Sequence, residues 1–204
     1  HKLVFMLNRV LLNDYSTLKY FKLPFLNNKF LQKPSLDSIS ELVSDLNSGA
    51  VDSLLILGGD PVYNAPVDLE FQKAIVKAKQ CLYLSEQYTK TALFSSWVIP
   101  KSHYLETWSD LYSNSGTHSI VQPAIKRMYN SFTVNEILAM FLGPYESDYS
   151  ILRAYLKQKY GKYDFEDRWS RFLHEGVITQ SINRVYPNVK NNNLIEFNTE
   201  FDEG

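Results

Sequence analysis

The chain has 204 residues, of which 45% are apolar, and its 21 basic residues are nearly balanced by 22 acidic ones. A chain of this length buries one substantial core or two small ones. The formal net charge of −1 gives no overall attraction to polyanions, so we expect neither nucleic-acid nor anionic-membrane binding. The single cysteine, Cys81, excludes an internal disulfide and any iron–sulfur cluster or cysteine-rich zinc site built from this chain alone.

The first predicted elements lie in an N-terminal segment that begins at once with apolar residues. The start lacks an initiator Met and the features of a signal peptide, so we expect the chain to be a fragment of a longer protein. Apolar residues at helical spacing predict a helix over residues 2–13, although the run 3–7 also suits a buried strand. A Tyr- and Phe-rich run predicts a short strand over 17–23, and a helix over 38–47 follows, with Gly49 placed to end it.

The central part of the sequence alternates between strand and helix patterns. Residues 53–57 are almost wholly apolar and end at Gly58-Gly59, which predicts a central parallel strand buried on both faces. A helix over 68–79 and a strand over 81–84 come next. This alternation is typical of a right-handed βαβ layer and predicts an α/β fold.

Helical patterns dominate the remaining sequence. Residues 96–99 predict a third strand, and residues 101–123 read as a long loop with a short strand at 119–121. Thr133 and Glu136 match a capping box. The other predicted elements are helices over 134–142, 147–160 and 164–174 and an alternating strand over 195–201.

Gly58 and Gly59 follow a buried strand at the position where open α/β sheets bind ligands. Neither a Gly-x-Gly-x-x-Gly pattern nor a phosphate-binding Gly-Lys-Ser/Thr motif is present, and Asp60 would repel a phosphate. The alternative is a tight turn that needs a positive φ, and glycine adopts this conformation readily.

His103 and Glu106 lie three residues apart, with Asp110 and His118 nearby in sequence. Their spacing matches no metal-binding motif, so we assign no metal ligand. We expect His103 and Glu106 instead to hydrogen-bond to the backbone of their loop.

A place in the hydrophobic core also explains several other chemically distinctive side chains. Cys81 lies in an apolar run, which predicts an inert buried thiol. Trp169 and Phe172 share one helix face and are expected in the core. Four aromatic residues of the central region either stack on a ligand or partner, or cover the strand ends: Trp97, Tyr104, Trp108 and Tyr112.

Three segments together resemble a known family: LLILGGDPVYNAP (54–66), SSWVIPKSHYLETWSD (95–110) and SGTHSIVQP (115–123). They are similar to the molybdopterin-oxidoreductase-like B subunit of bacterial alternative complex III. Residues 8–14 and 169–176 also resemble segments of that family. The resemblance implies a Rossmann-like three-layer α/β domain of the molybdopterin-oxidoreductase (DMSO reductase-like) type, with a mostly parallel sheet.

The resemblance also implies positions that line the nucleotide end of a pterin cofactor in true molybdopterin enzymes. Asp60 stands where that family pattern has Asn, which replaces a hydrogen-bond donor by an anionic acceptor and argues against pterin binding. The positions for a possible or vestigial pterin-nucleotide cleft are Gly58, Gly59, Asp60, Pro61, Glu106, Trp108, Asn114 and Gly116.

The function implied by the resemblance is a non-catalytic scaffold domain of a respiratory complex that oxidises quinol and passes electrons to an acceptor. The domain would be periplasmic and associated with the membrane through that complex. Residues 1–204 would form one domain fragment, with a Rossmann-like core over 1–143 and a helical extension with a C-terminal strand over 144–204. The implied partners are the iron–sulfur half of the same polypeptide and cytochrome or membrane subunits. Neither a catalytic residue nor a cofactor is assigned to this chain, and iron–sulfur clusters would belong to the parent protein.

The sequence leaves two alternative functions open. In the first, the chain is the domain of a true molybdopterin oxidoreductase that binds the nucleotide end of the pterin. In the second, it is a free-standing sugar- or nucleotide-binding domain. A retained cofactor site needs an open cleft lined by backbone N–H groups. A vestigial cleft is expected to be closed by side chains such as Tyr63, Trp108 or Tyr112.

Overall fold

The computed structural model describes residues 2–13, 16–18, 35–113, 117–161 and 163–178. These residues form a mixed α/β structure, as predicted, with one parallel and one antiparallel three-stranded sheet. The strands predicted over 17–23 and 195–201 lie outside the described residues, apart from positions 17 and 18.

The parallel sheet is formed by β1 (Ser53–Ile56), β2 (Gln80–Ser85) and β3 (Trp97–Pro100), in the order β1-β2-β3. The three predicted strands and their parallel pairing are confirmed. Residues 53–57 are predicted as a central strand; among the described strands the middle one is β2. The burial pattern agrees, since β2 buries Tyr83 and Leu84 completely whereas β1 is only half-buried.

The chain between β1 and β2 is more broken than its apolar pattern predicts. It contains α3 (Pro61–Asn64), a 3-10 turn (Val67–Leu69) and α4 (Phe71–Ile75) in place of one helix over 68–79. Glu70 interrupts the helix because it adopts a left-handed conformation with φ of 45°. The change of direction at Glu70 lets α4 bury Phe71, Ala74 and Ile75.

Two predicted N-terminal helices are present as α1 (Lys2–Val10) and α2 (Ser35–Ser48). Gly49 follows α2 with φ of 76°, as expected for a glycine that ends a helix. Helix α2 packs against α4 on the sheet. The first core contains Val43, Leu46, Phe71, Ala74, Ile75 and Cys81.

The antiparallel sheet is formed by β4 (Ser109–Tyr112), β5 (His118–Val121) and β6 (Val177–Ile178), in the order β4-β5-β6. The prediction of a loop before residue 119 is therefore wrong for β4. Its apolar residue Leu111 is 62% exposed, whereas Asp110 lies on the less exposed side. This inverted pattern conceals the strand from an analysis based on hydrophobic alternation.

The three remaining helices are α5 (Val134–Met140), α6 (Asp148–Tyr160) and α7 (Phe165–Glu175). The capping box of Thr133 and Glu136 is confirmed at the start of α5. None of the helices that the structure describes has the length and apolar content needed to cross a bilayer. A second core, between α6, α7 and the antiparallel sheet, contains Ile120, Leu152, Leu156, Phe165, Trp169 and Ile178.

Candidate functional site

The first candidate site is a cleft of about 420 Å³ just beyond the carboxyl end of β1. The structure brings Gly58, Gly59, Asp60 and Pro61 together in its lining. Helix α2 contributes apolar side chains to the opposite wall. The complete lining is Leu36, Ile39, Gly58, Gly59, Asp60, Pro61, Asn64, Ala65 and Pro66.

Gly58 and Gly59 form a turn that needs glycine for its backbone conformation. Their φ angles are 105° and 74°, in a region that other residues rarely adopt. A Cβ atom at either position would meet nothing within 4 Å, so crowding does not explain the two glycines. The buried Tyr83 hydroxyl supports the turn by donating a hydrogen bond of 2.5 Å to the carbonyl of Gly59.

The Asp60 carboxylate is held by the segment that precedes β3. Its Oδ1 accepts hydrogen bonds from the backbone N–H of Thr91 (2.9 Å) and from the Thr91 hydroxyl (2.5 Å). Burial alone raises the pKa of Asp60, but the hydrogen bonds from Thr91, Lys90 and Thr89 together outweigh it and hold the pKa below its usual value. Asp60 is therefore an anion near neutral pH that ties the start of α3 to the 3-10 helix Lys90–Phe94.

The cleft is open, and the side chains expected to close a vestigial site do not line it. Tyr63 is 73% exposed. Trp108 and Tyr112 lie in the part of the structure built around the antiparallel sheet, and neither is part of the cleft lining. The expected closure by these three rings is therefore not found.

The remaining proposed cofactor positions do not join this cleft. Glu106 and Trp108 line a second groove of about 480 Å³, and Asn114 and Gly116 lie outside the described residues. The structure thus separates the strand-end residues from Glu106 and Trp108.

No protein-family model matches this chain, and no curated protein is significantly similar to it.

The floor of the second groove is an ionic network that the sequence did not predict. Arg127 lies 3.2 Å from a carboxylate oxygen of both Glu136 and Asp148. Glu136 also accepts hydrogen bonds from the Thr133 backbone N–H (2.8 Å) and the Tyr145 hydroxyl (2.9 Å). Burial raises the pKa of Glu136, but these donors outweigh it and lower the pKa overall.

His103 and Glu106 bind the loop backbone, as predicted. His103 Nδ1 accepts a hydrogen bond of 3.3 Å from the N–H of Leu105, and Glu106 Oε1 accepts one of 3.2 Å from the N–H of Met128. The two residues form a capping box around a short 3-10 helix (Tyr104–Glu106). Among the described residues, no three side chains of the His, Cys, Asp or Glu type form a group that could hold a metal ion.

A second polar cluster joins the antiparallel sheet to α6. His118 is completely buried, with Nε2 2.6 Å from Asp110 Oδ2 and Nδ1 2.8 Å from the Tyr160 hydroxyl. The Tyr112 ring stacks on the imidazole, with ring centroids 4.0 Å apart. Both imidazole nitrogens are thus engaged, which fits a positioning role in the fold more closely than access to a substrate.

Tyr160→Phe tests how much this cluster stabilises the protein. We expect a loss of about 1–2 kcal/mol in the free energy of unfolding, because the hydrogen bond to buried His118 is removed. Burial, followed by Tyr155 and Asp110, raises the pKa of Tyr160 to about 12 from the usual 10.0. Because the folded protein favours the neutral Tyr160 phenol, the resulting stabilisation of the fold is complete below pH 10 and is lost as the pH rises towards 12.

Urea unfolding between pH 7 and 11 measures both effects. Tyr163→Phe is the matched control, because Tyr163 is 87% exposed and should change stability by less than about 0.5 kcal/mol. Equal losses in the two variants would contradict the stabilising role of Tyr160.

The remaining predicted residues divide between core and surface. Cys81 is buried, and desolvation raises the pKa of its thiol, which fits the expected inert thiol. Trp108 packs against Tyr149 and Trp169, with ring centroids 5.1 and 6.0 Å away. Trp97 is largely exposed, so the aromatic residues of the central region do not share one role.

Proposed function

We propose that the chain is a non-catalytic scaffold domain of a molybdopterin-oxidoreductase-like respiratory subunit, similar to the B subunit of alternative complex III. The parent complex would oxidise quinol and pass electrons to an acceptor through centres held outside this chain. The domain would adopt the family's Rossmann-like type of α/β fold and act at the periplasmic face of the membrane. Its role is to present surfaces to the iron–sulfur half of the protein and to cytochrome or membrane subunits.

The charge of the strand-end cleft carries this proposal. A pterin dinucleotide brings a pyrophosphate, which proteins bind with basic side chains or with backbone N–H groups at a helix N-terminus. None of the described residues that line the cleft is basic, and the one charged residue among them is Asp60. The carboxylate beside the Gly58-Gly59 turn would repel a phosphate, so the charge of the lining disfavours the nucleotide end of that cofactor.

The open shape of the cleft favours a second candidate, a domain that still binds the nucleotide end of a pterin. The cleft has about 420 Å³ of space and lies at the end of a parallel strand, where this class of fold binds ligands. Asn64 would then supply polar contacts from the lining. This candidate requires a ligand that tolerates Asp60.

Metal and pterin analysis of the full-length parent protein, purified from its native membranes, distinguishes the two candidates. We expect molybdenum and tungsten far below one atom per polypeptide, and no pterin fluorescence after oxidative release. Stoichiometric molybdenum or tungsten together with pterin would overturn the scaffold proposal.

Asp60→Asn in the same protein is a sharper comparison. Asparagine keeps an Oδ1 that can accept the hydrogen bonds from Thr91, and it removes the charge that opposes phosphate. If the cleft still belongs to a pterin site, Asp60→Asn should raise the bound pterin. We expect no increase. Asp68→Asn, outside the cleft lining, is the control for loss of charge alone.

A further inference from the structure

The second groove differs from the strand-end cleft in having charged side chains, an indole and apolar walls. Loop 123–127 forms one side, and helices α5 and α6 with the chain between them contribute the other. Its lining comprises Glu106, Trp108, Pro123, Ala124, Ile125, Lys126, Arg127, Glu136, Tyr145, Ser147 and Asp148.

The two segments that flank the groove carry large exposed apolar side chains close in sequence to the lining residues. Ile125 and Tyr145 belong to the lining itself and are about half exposed. A surface rich in Tyr, Phe and Met is typical of a protein–protein interface. The neighbouring exposed residues are Met128, Tyr129, Leu138, Phe141 and Leu142.

The charges of the groove leave one carboxylate without a basic partner among the described residues. Arg127 is paired with Glu136 and Asp148 on the groove floor. Within the described ranges, Glu106 accepts hydrogen bonds from the backbone N–H groups of Met128 (3.2 Å) and His103 (3.4 Å) and forms no ion pair. Lys126 is exposed, so water and salt screen its charge more strongly than that of the half-buried Glu106.

Glu106 retains the capacity to bind a planar cation. Each carboxylate oxygen has two lone-pair directions, and one backbone bond to each oxygen leaves room for two further donors. A guanidinium group matches that geometry with two parallel N–H donors and also stacks on aromatic faces. Trp108 supplies an indole in the same groove, and Pro123 and Ala124 supply apolar contacts for a methylene stem.

We propose that this groove is a docking site for a partner protein that inserts an arginine side chain, with apolar residues of the same segment covering the exposed rim. The guanidinium would pair with Glu106 beside Trp108. This inference rests on the proposed scaffold function, because it assigns the partner surface of such a scaffold, and it names the chemistry of the partner.

The test uses propylguanidinium as the probe, an analogue of the arginine side chain, added to the isotopically labelled chain. Butyrate and 1-butanol are the anionic and neutral controls of similar size. We expect propylguanidinium to shift the NMR signals of the Trp108 indole N–H and the Met128 amide, with no comparable shift at Gly58 or Gly59. Butyrate shifts of equal or greater size at Trp108 would overturn the proposal, as would shifts spread over the whole surface.

Glu106→Gln is the decisive variant, with Glu146→Gln as an exposed control on the segment that precedes α6. Glutamine keeps an acceptor for Met128 but loses the charge, so we expect propylguanidinium to bind at least tenfold more weakly. Glu146→Gln should bind the probe as the unaltered chain does, and equal affinity in all three proteins would contradict the role of Glu106. The comparison of guanidinium with butyrate on the unaltered chain decides the matter if Glu106→Gln fails to fold.

The guanidinium-binding experiment and the metal analysis test different proposals, so their failures can be told apart. Stoichiometric molybdenum would overturn the scaffold function whether or not the groove binds a guanidinium. Failure of the guanidinium probe would overturn the docking site and leave the cofactor content of the parent protein unchanged.

Discussion

Glu136→Ala is expected to lower the free energy of unfolding by about 2–3 kcal/mol, because it removes the buried carboxylate that pairs with Arg127 and accepts hydrogen bonds from Thr133 and Tyr145. The Glu136 side chain is 1% exposed and receives donors from Arg127, Thr133 and Tyr145. After the substitution, Arg127 retains Asp148 as its remaining acidic partner on the groove floor. Urea denaturation at pH 7 measures the loss.

Glu136→Gln tests the charge separately from the shape. The folded-state pKa of Glu136 lies below its usual value of 4.5, so its pKa-linked stabilisation is present above pH 4.5 and is lost as the pH falls through the folded-state pKa. The difference in stability between the unaltered chain and Glu136→Gln should therefore shrink on acidification. Glu146→Ala is the control, since Glu146 is exposed and should cost less than about 0.5 kcal/mol. A constant difference from pH 7 to pH 3 would contradict the ionic origin.

The first half of this network illustrates what the sequence could predict. Thr133 and Glu136 match a local capping motif, and three residues of separation suffice to identify it. The ion pair between Arg127 and Asp148 could not be predicted from the sequence, because the two residues lie 21 positions apart and no local pattern joins them. Local capping rules therefore located Glu136 but not its charged partner.

Strand prediction shows the same division. The apolar runs of β1, β2 and β3 predict parallel strands because burial and β propensity agree there. Strand β4 has the opposite pattern, since Asp110 is directed towards buried His118 and Leu111 towards solvent. A polar pair inside a sheet reverses the alternation that a sequence pattern depends on.

The strand-end cleft was predictable in position but not in chemistry. Gly58-Gly59 after an apolar run indicates the carboxyl end of a strand, and the cleft lies there. The bond between Asp60 and Thr91 spans 31 residues, and the direction of the carboxylate determines which ligands the cleft can accept. Glu106 and Trp108 line a different groove, and this placement likewise depends on tertiary contacts that the sequence does not reveal.

Trp169→Ala is expected to destabilise the chain by about 3–5 kcal/mol, since it empties the centre of the second core. Trp169 is 5% exposed and lies among Trp108, Tyr149 and Phe165. The sequence predicted its place in the core from the apolar face of α7, and its depth depends on contacts from other elements.

Trp97→Ala is the matched control, because the same side chain is removed from a position that is 66% exposed. We expect a change of less than about 0.5 kcal/mol in urea unfolding for this variant. Near-ultraviolet circular dichroism should show loss of aromatic packing in Trp169→Ala alone. Equal destabilisation of the two variants would mean that α6, α7 and the antiparallel sheet are not held together by this core. The wall of the second groove formed by Trp108 would then lack its support, because Trp108 packs directly on Trp169.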